Sequence, residues 1–128
     1  MQNLKKLIEE VWEDRNLLAN HEYTTAIETV IQELDRGELR VAEPIGHRWH
    51  TNDWIKKAVI LYFPIRQMEE IKTGPFVFHD KMKLKTDYKK TGVRVVPHAI
   101  ARYGSYLAKG VIMMPSYINI VAYVHKGT

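Results

Sequence analysis

The sequence contains no cysteine and no long hydrophobic stretch, and each absence removes a class of protein. Without cysteine there can be no disulfide scaffold, cysteine nucleophile or thiolate-bound zinc. The longest apolar run, residues 58–63, ends at Pro64 and falls well short of the roughly 20 residues that a membrane-spanning helix needs. Residues 1–16 carry charges every few positions and lack the apolar core of a signal peptide. We therefore expect a cytoplasmic protein that has no membrane partner.

The excess of positive charge is small and confined to one segment. The chain has 19 Lys and Arg residues against 15 Asp and Glu residues, a net charge of +4. Residues 66–94 hold eight basic and four acidic side chains, and the rest of the chain is balanced. This mild excess fits an anionic small molecule as well as a polyanion, and fits a solvated basic face better than either. Because acidic residues interrupt the lysines, we expect no nucleic-acid partner.

Apolar periodicity predicts three helices in the first half of the chain. Residues 4–12 place apolar side chains on one helical face. A second helix is predicted from about Thr24, as the N-cap, to Gly37, so that the first two helices form an antiparallel pair. A third helix is predicted over residues 54–62, with Pro64 limiting its end.

Shorter extended segments are predicted around the third helix. Residues 39–49 alternate in a way that predicts a small β-hairpin, with its turn at residues 44–46. Residues 65–92 are predicted to be irregular except for one strand near residues 75–80. Glycine and proline at positions 74 and 75 mark a turn before that strand.

From residue 100 onward the sequence repeats every six residues. The first position of each unit is large and apolar, and the fifth is small: Ile100, Tyr106, Ile112, Ile118 and Val124, then Gly104, Gly110, Ser116, Ala122 and Thr128. This period matches neither a helix nor an alternating strand but is typical of a hexapeptide-repeat β-helix. We predict that the first-position side chains point inward and that the segment forms about one and a half coils. The alternative is a pair of ordinary strands in which the same side chains form the core.

Several segments resemble the tetrahydrodipicolinate N-succinyltransferase family. The most specific is MPSYINIVAYVHKGT, which fits the pattern MPSYxNIxAYVxxGT. LDRGELRVAE is similar to the end of the family's second helix, and residues 40–63 are similar to its RVAE, turn, tryptophan and WLKKAVLLSF pattern. The resemblance covers essentially the whole chain, in order and without large gaps.

The resemblance implies an α+β fold with two parts. Residues 1–97 would form a mainly helical N-terminal domain with a small β-hairpin. Residues 98–128 would form the first coils of a left-handed parallel β-helix. Family members are cytoplasmic homotrimers whose sites lie in clefts between neighbouring β-helices, so the resemblance also implies a homo-oligomer.

The resemblance further implies an acyltransferase of lysine and diaminopimelate biosynthesis. Such enzymes transfer succinyl from succinyl-CoA, their co-substrate, to the amino group of a ring-opened dicarboxylate. The arginine of the family's GFRVVP motif corresponds to Arg94 in GVRVVP, so Arg94 is the predicted substrate-binding residue. A guanidinium suits that task because it offers two parallel donors to a carboxylate. Without the resemblance, Arg94 would be interpreted as a surface arginine.

The chain also departs from the family pattern. Val121 stands where glycine is usual, and His125 and Lys126 replace an acidic pair. The family's next motif, MVDTW, contains an aspartate that binds or activates the amine, and the CoA-binding coils lie further on. We therefore assign no catalytic residue to these 128 residues, and a free-standing assembly or partner-binding domain without catalysis stays open as an alternative.

The remaining histidines are weaker candidates. His47 and His50 are three residues apart, but they fall in a predicted hairpin without a third ligand nearby, so we expect no metal. His98 follows the Arg94 motif and is a candidate for lining the acceptor cleft, although a solvated histidine is the simpler interpretation.

We predict that the 128-residue polypeptide by itself does not transfer succinyl groups. The motifs that would bind CoA and activate the amine lie in family segments that it does not include. The measurement is release of free thiol from succinyl-CoA in the presence of the acceptor. Turnover by the purified polypeptide would contradict the assignment of catalysis to other segments.

Overall fold

Three amphipathic helices form the larger of two apolar cores. In the computed structural model, which describes residues 2–128, α1 spans Gln2–Glu13, α2 spans His21–Asp35 and α3 spans Asp53–Ile65. A 3₁₀ helix, Arg15–Ala19, joins α1 to α2. Their apolar faces meet because residues spaced by three and four positions share one side of a helix. The most buried side chains of this core are those of Ile8, Val11, Ile27, Val30, Ile31, Ile55, Ala58 and Leu61. Met1, the first residue of the predicted N-terminal domain, lies outside the described residues.

The three predicted helices are confirmed, but two of their boundaries are wrong. Helix α2 begins at His21, because the side chain of Asn20 accepts a hydrogen bond from the backbone N–H of Glu22 at 3.0 Å and caps the helix. The predicted cap, Thr24, lies inside the first turn, where its hydroxyl donates to the carbonyl of His21 at 3.1 Å. Helix α3 continues through Pro64 to its last residue. The helix ends one residue after this proline, which cannot donate a backbone hydrogen bond to the preceding turn.

The first predicted hairpin is confirmed with a different turn. Strands β1 (Ala42–Ile45) and β2 (Arg48–Thr51) are antiparallel, and Pro44 lies opposite Trp49. The turn therefore falls at residues 46 and 47, where Gly46 has a φ of +62°. This left-handed conformation is one that glycine adopts without strain.

A second hairpin occupies a region predicted to be largely irregular. Strands β3 (Glu69–Thr73) and β4 (Phe76–Asp80) pair along their full length, with Ile71 opposite Phe78. The strand near residues 75–80 was predicted, whereas β3 was not. Both faces of this hairpin are largely exposed. Strand β3 therefore does not need the alternation of apolar and polar residues by which a half-buried strand is predicted from sequence.

The final third consists of two-residue strands that pair in parallel. A short helix, α4 (Tyr88–Thr91), precedes them. Three pairs form: β5 (Arg94–Val95) with β8 (Ile112–Met113), β6 (Ile100–Ala101) with β9 (Tyr117–Ile118), and β7 (Tyr106–Leu107) with β10 (Tyr123–Val124). The α+β class is thus confirmed. Partners lie 18 residues apart in the first pair and 17 in the other two, close to three units of six.

Three of the side chains predicted to point inward are wrong by one residue: Ile100, Tyr106 and Ile112. The smaller apolar core contains Ala101, Leu107 and Met113, whereas Ile112 is 52% exposed. Successive strand residues point to opposite sides, so a shift of one residue exchanges inside and outside. The next inward residue, Ile118, follows Met113 after five positions, not six. Because this unit is one residue shorter, Ile118 and Val124 pack against the smaller core. The prediction that these two side chains point inward is therefore correct.

One carboxylate joins the helical part to the parallel strands. Asp35, at the end of α2, has its Oδ1 atom 2.6 Å from Lys85 Nζ and accepts a hydrogen bond from the backbone N–H of Gly104 at 2.9 Å. Lys85 Nζ also donates to the backbone carbonyl of Asp35 at 3.2 Å. The Lys85 side chain is only 8% exposed, which makes this pair costly to break.

Val121 adopts a backbone conformation that disfavours its side chain. Its φ is +73°, like those of four glycines in the same region, Gly92, Gly104, Gly110 and Gly127. Its N–H donates to the carbonyl of Gly104 at 3.1 Å, and so the turns at these two residues lie side by side. A β-branched residue in this conformation is strained. The glycine usual in the resembling family would avoid that strain.

We predict that Asp35→Ala lowers the free energy of unfolding by about 2–4 kcal/mol, because it leaves Lys85 buried without a countercharge. The matched control is Glu33→Ala, which removes a long, solvent-accessible pair with Arg36 at 4.0 Å and should cost less than about 1 kcal/mol. Urea unfolding at neutral pH measures both values. Equal losses would show that the Asp35 pair is not a structural link.

We also predict that Val121→Gly is more stable than Val121→Ala by about 1 kcal/mol, because only glycine lacks the Cβ atom that left-handed backbone disfavours. Both variants lose similar packing, which isolates the backbone effect. At most positions in regular structure the order is reversed. The comparison is the difference between the urea midpoints of the two variants. A more stable alanine variant would contradict the left-handed conformation.

Candidate functional site

Arg94 lies on the first of the parallel strands with its side chain exposed. Its backbone N–H donates to the carbonyl of Val111 at 3.0 Å, which fixes its position beside Ile112. Among residues 2–128, no carboxylate lies within ion-pair distance of its guanidinium. The structure therefore presents a guanidinium that can donate two parallel hydrogen bonds to an external carboxylate.

His98 lies four residues further on, at the rim of a shallow cavity. This cavity has a volume of about 360 Å³ and is lined by His98, Ile100, Pro115, Ser116 and Tyr117. Arg94 does not line it. The structure thus places the two candidates in the same part of the chain without bringing them into one cavity.

The histidine pair of the first hairpin is exposed. His47 lies in the turn and His50 lies on β2, opposite Glu43. Across residues 2–128, no group of three or more His, Asp or Glu side chains is arranged to hold a metal ion. None of the helices in this part of the chain combines the length and apolar character that a membrane crossing requires.

A groove lies between the end of α2 and the parallel strands. We call it the basic groove; its volume is about 670 Å³. Its charged lining residues are Asp35, Arg36, Lys83, Lys85, Asp87, Lys90 and Lys109. The lysines between positions 81 and 90 are evident as a group in the sequence, whereas Arg36 and Lys109 are not. These two come from distant parts of the chain, and no local pattern connects them.

Tyrosine side chains complete the basic groove. Tyr103 and Tyr106 line it, and Lys83 Nζ lies 4.1 Å from the centre of the Tyr103 ring. Burial, together with the nearby Asp35 carboxylate, raises the pKa of Tyr103. Its phenol therefore stays neutral at physiological pH and adds no negative charge.

A second groove, of about 430 Å³, separates β4 from the parallel strands. It is mainly apolar, with Phe78, Met82 and Tyr117 among its lining residues. Arg102 closes its polar side by pairing with Asp80 at 2.9 Å and donating to Asn119 at 3.2 Å. Because this arginine already has its partners, the groove offers less unpaired charge than the basic groove.

Arg40 connects the first hairpin to the last parallel pair. Its guanidinium carbon lies 3.9 Å from the centre of the Tyr123 ring and 5.8 Å from that of Trp49. The rings of Tyr123 and Tyr106 are 4.7 Å apart. Stacking of this kind holds a guanidinium in a fixed plane, so this arrangement orients the hairpin against the strands.

Comparison with known proteins identifies relatives that share one name. A family model described as Tetrahydrodipicolinate N-succinyltransferase N-terminal matches residues 3–65. The protein named 2,3,4,5-tetrahydropyridine-2,6-dicarboxylate N-succinyltransferase from Variovorax paradoxus is 45% identical, over 94% of this chain and 48% of its own length. Proteins of the same name from Albidiferax ferrireducens and Acinetobacter baylyi are 48% and 43% identical, over 93% and 100% of this chain and 47% and 50% of their own lengths. The chain thus spans about half the length of the curated relatives it matches.

Proposed function

The chain belongs to the tetrahydrodipicolinate N-succinyltransferase family and corresponds to its N-terminal portion; from this premise we propose that it is part of an enzyme that succinylates the amino group of a ring-opened tetrahydrodipicolinate. The proposal places the protein in lysine and diaminopimelate biosynthesis. One observation carries it: relatives that bear this name are 43–48% identical over 93–100% of the chain.

The proposed reaction makes an amide from a thioester. The acceptor's amine nitrogen attacks the thioester carbonyl of succinyl-CoA, the new C–N bond forms, and the C–S bond breaks to release the CoA thiol. A base must take the proton that the nitrogen loses. We assign neither this base nor the CoA-binding groups to residues 1–128, and place both in the part of the relatives that this chain does not cover.

We further propose that the parallel strands are the first coils of a left-handed β-helix. Three observations support this. The strands are two residues long, their partners are 17 or 18 residues apart, and backbone with positive φ recurs between them. A prism with three short faces needs short parallel strands, turns between them and a repeat near 18.

Within this fold we propose that Arg94 binds a carboxylate of the acceptor. Its exposed guanidinium has no ion-pair partner among residues 2–128, and its strand holds it on the outside of the first parallel pair. The outer face is where a cleft between neighbouring subunits would form. A cytoplasmic homotrimer with such clefts is part of the same proposal.

The test joins this chain to the remainder of a relative. Residues 1–128 are fused to the part of the Acinetobacter baylyi protein that follows its aligned half, and release of CoA thiol is measured with the acceptor. We expect the chimera to turn over. A chimera that is folded by circular dichroism but inactive would contradict the enzymatic proposal and favour the assembly-domain alternative.

In the same chimera, we predict that Arg94→Ala lowers kcat/KM for the acceptor by about ten- to a hundredfold, because a charge-assisted pair worth about 1.5–3 kcal/mol is lost. The KM for succinyl-CoA should not change. The control is Arg48→Ala, which removes an exposed arginine from β2 and should leave both parameters unaltered. Unchanged acceptor kinetics in Arg94→Ala would reject the assignment of this residue.

A further inference from the structure

We propose that the basic groove binds a phosphorylated small molecule of about nucleotide size. Its volume of about 670 Å³ lies within the range typical of small-ligand sites. It is formed by three separate parts of the chain: the end of α2, residues 83–91 and residues 103–109. The cavity therefore exists only in the folded protein.

The charge of the groove remains positive after its internal pairs are counted. The Asp35 carboxylate is occupied by Lys85 and by the backbone N–H of Gly104. Lys85 also donates to the last carbonyl of α2, so it neutralises the negative end of that helix. Arg36 has its own carboxylate partner, so three cations of the lining remain, Lys83, Lys90 and Lys109, against the single carboxylate of Asp87. This excess attracts an anion of more than one charge.

The remaining cations suit the several oxygens of a phosphate. All three are lysines, which act as mobile point charges and can adjust to tetrahedral oxygens. The one arginine of the lining is already paired with Glu33 at 4.0 Å. The groove therefore offers several adjustable charges, whereas Arg94 offers one planar pair of donors.

Fixed aromatic rings give the groove a surface for a flat group. A Cβ atom added to Gly37 would lie 2.7 Å from Cδ1 of Tyr106, so the Tyr106 ring rests directly on the turn that follows α2. The Tyr123 ring, whose centre lies 4.7 Å from that of Tyr106, holds it further in place. Tyr103 lines the same cavity, and its phenol is neutral. Aromatic side chains beside lysines are the combination that binds a nucleobase and its phosphates.

The inference does not depend on the proposed enzymatic function. Arg94 does not line the basic groove, so a ligand here would leave the acceptor-binding role unaltered. Nucleotides and coenzyme A carry the same diphosphate chemistry, and the groove does not discriminate between them by charge. The experiment must therefore separate these two sources.

The test titrates the 128-residue chain with ADP by calorimetry at low and at physiological salt. We expect saturable binding that weakens with salt, and a loss of about five- to tenfold in Lys90→Gln and in Lys109→Gln. The matched control is Lys89→Gln, which removes the same charge from the adjacent residue outside the lining. Its affinity should change less than about twofold.

Two further arms identify the ligand. Pimelate, a dicarboxylate without phosphate, should bind at least about tenfold more weakly than ADP. Coenzyme A is titrated beside ADP: tighter binding of coenzyme A would assign the site to the co-substrate, and equal or weaker binding would assign it to a free nucleotide. Absence of saturable ADP binding, an equal loss in Lys89→Gln, or equal affinity for pimelate would each overturn the proposal.

Discussion

The pairing of Lys85 with Asp35 is the constraint on which the rest of the structure depends. It brings together a helix end, the extended segment around residue 85 and the turn at Gly104, which come from three distant parts of the chain. The residues of the two apolar cores do not overlap in the part of the chain that the structure describes. Hydrophobic burial stabilises each core but has no direction. A buried ion pair with defined donors does have direction, so it sets how the helices meet the parallel strands.

The parallel strands show how a strict repeat is altered to fit that junction. Spacing of six residues holds from Ala101 to Met113, and a unit of five then leads to Ile118. The shorter unit shifts the following turn as well, and it is there that Val121 takes the left-handed conformation that glycines provide elsewhere. The Ile120 side chain belongs to the larger core, and so this turn is one of the places where the parallel strands contact the helices. Strain at this turn is compatible with folding because packing on the helical side restrains it.

Local patterns were sufficient for the helices, the first hairpin and the period of the strands, because each is determined by residues close in sequence. Three features of the structure could not be predicted from local patterns. Which side chains point inward can be decided only from the strand pairing, because neighbouring residues such as Ile112 and Met113 are both large and apolar. Strand β3 has no buried face to produce an alternating pattern. The basic groove combines Arg36 with Lys109, which are far apart in sequence and meet in one cavity only in the folded chain. Arg94 itself was found through a motif, and its geometry adds only that the guanidinium is exposed.

The distribution of charge follows from the same link. The excess of basic residues between positions 66 and 94 is weak when counted along the chain, because acidic residues interrupt it. In the folded protein Asp80 is paired with Arg102 and Asp35 with Lys85, so two carboxylates near these lysines are neutralised locally. Lys83, Lys90 and Lys109 then face one cavity with a single further acid, Asp87. A charge density that is modest in sequence becomes concentrated in space. Recognition of an anion depends on the spatial arrangement, because Coulomb attraction at the distances of a binding site greatly exceeds that between separated surface charges.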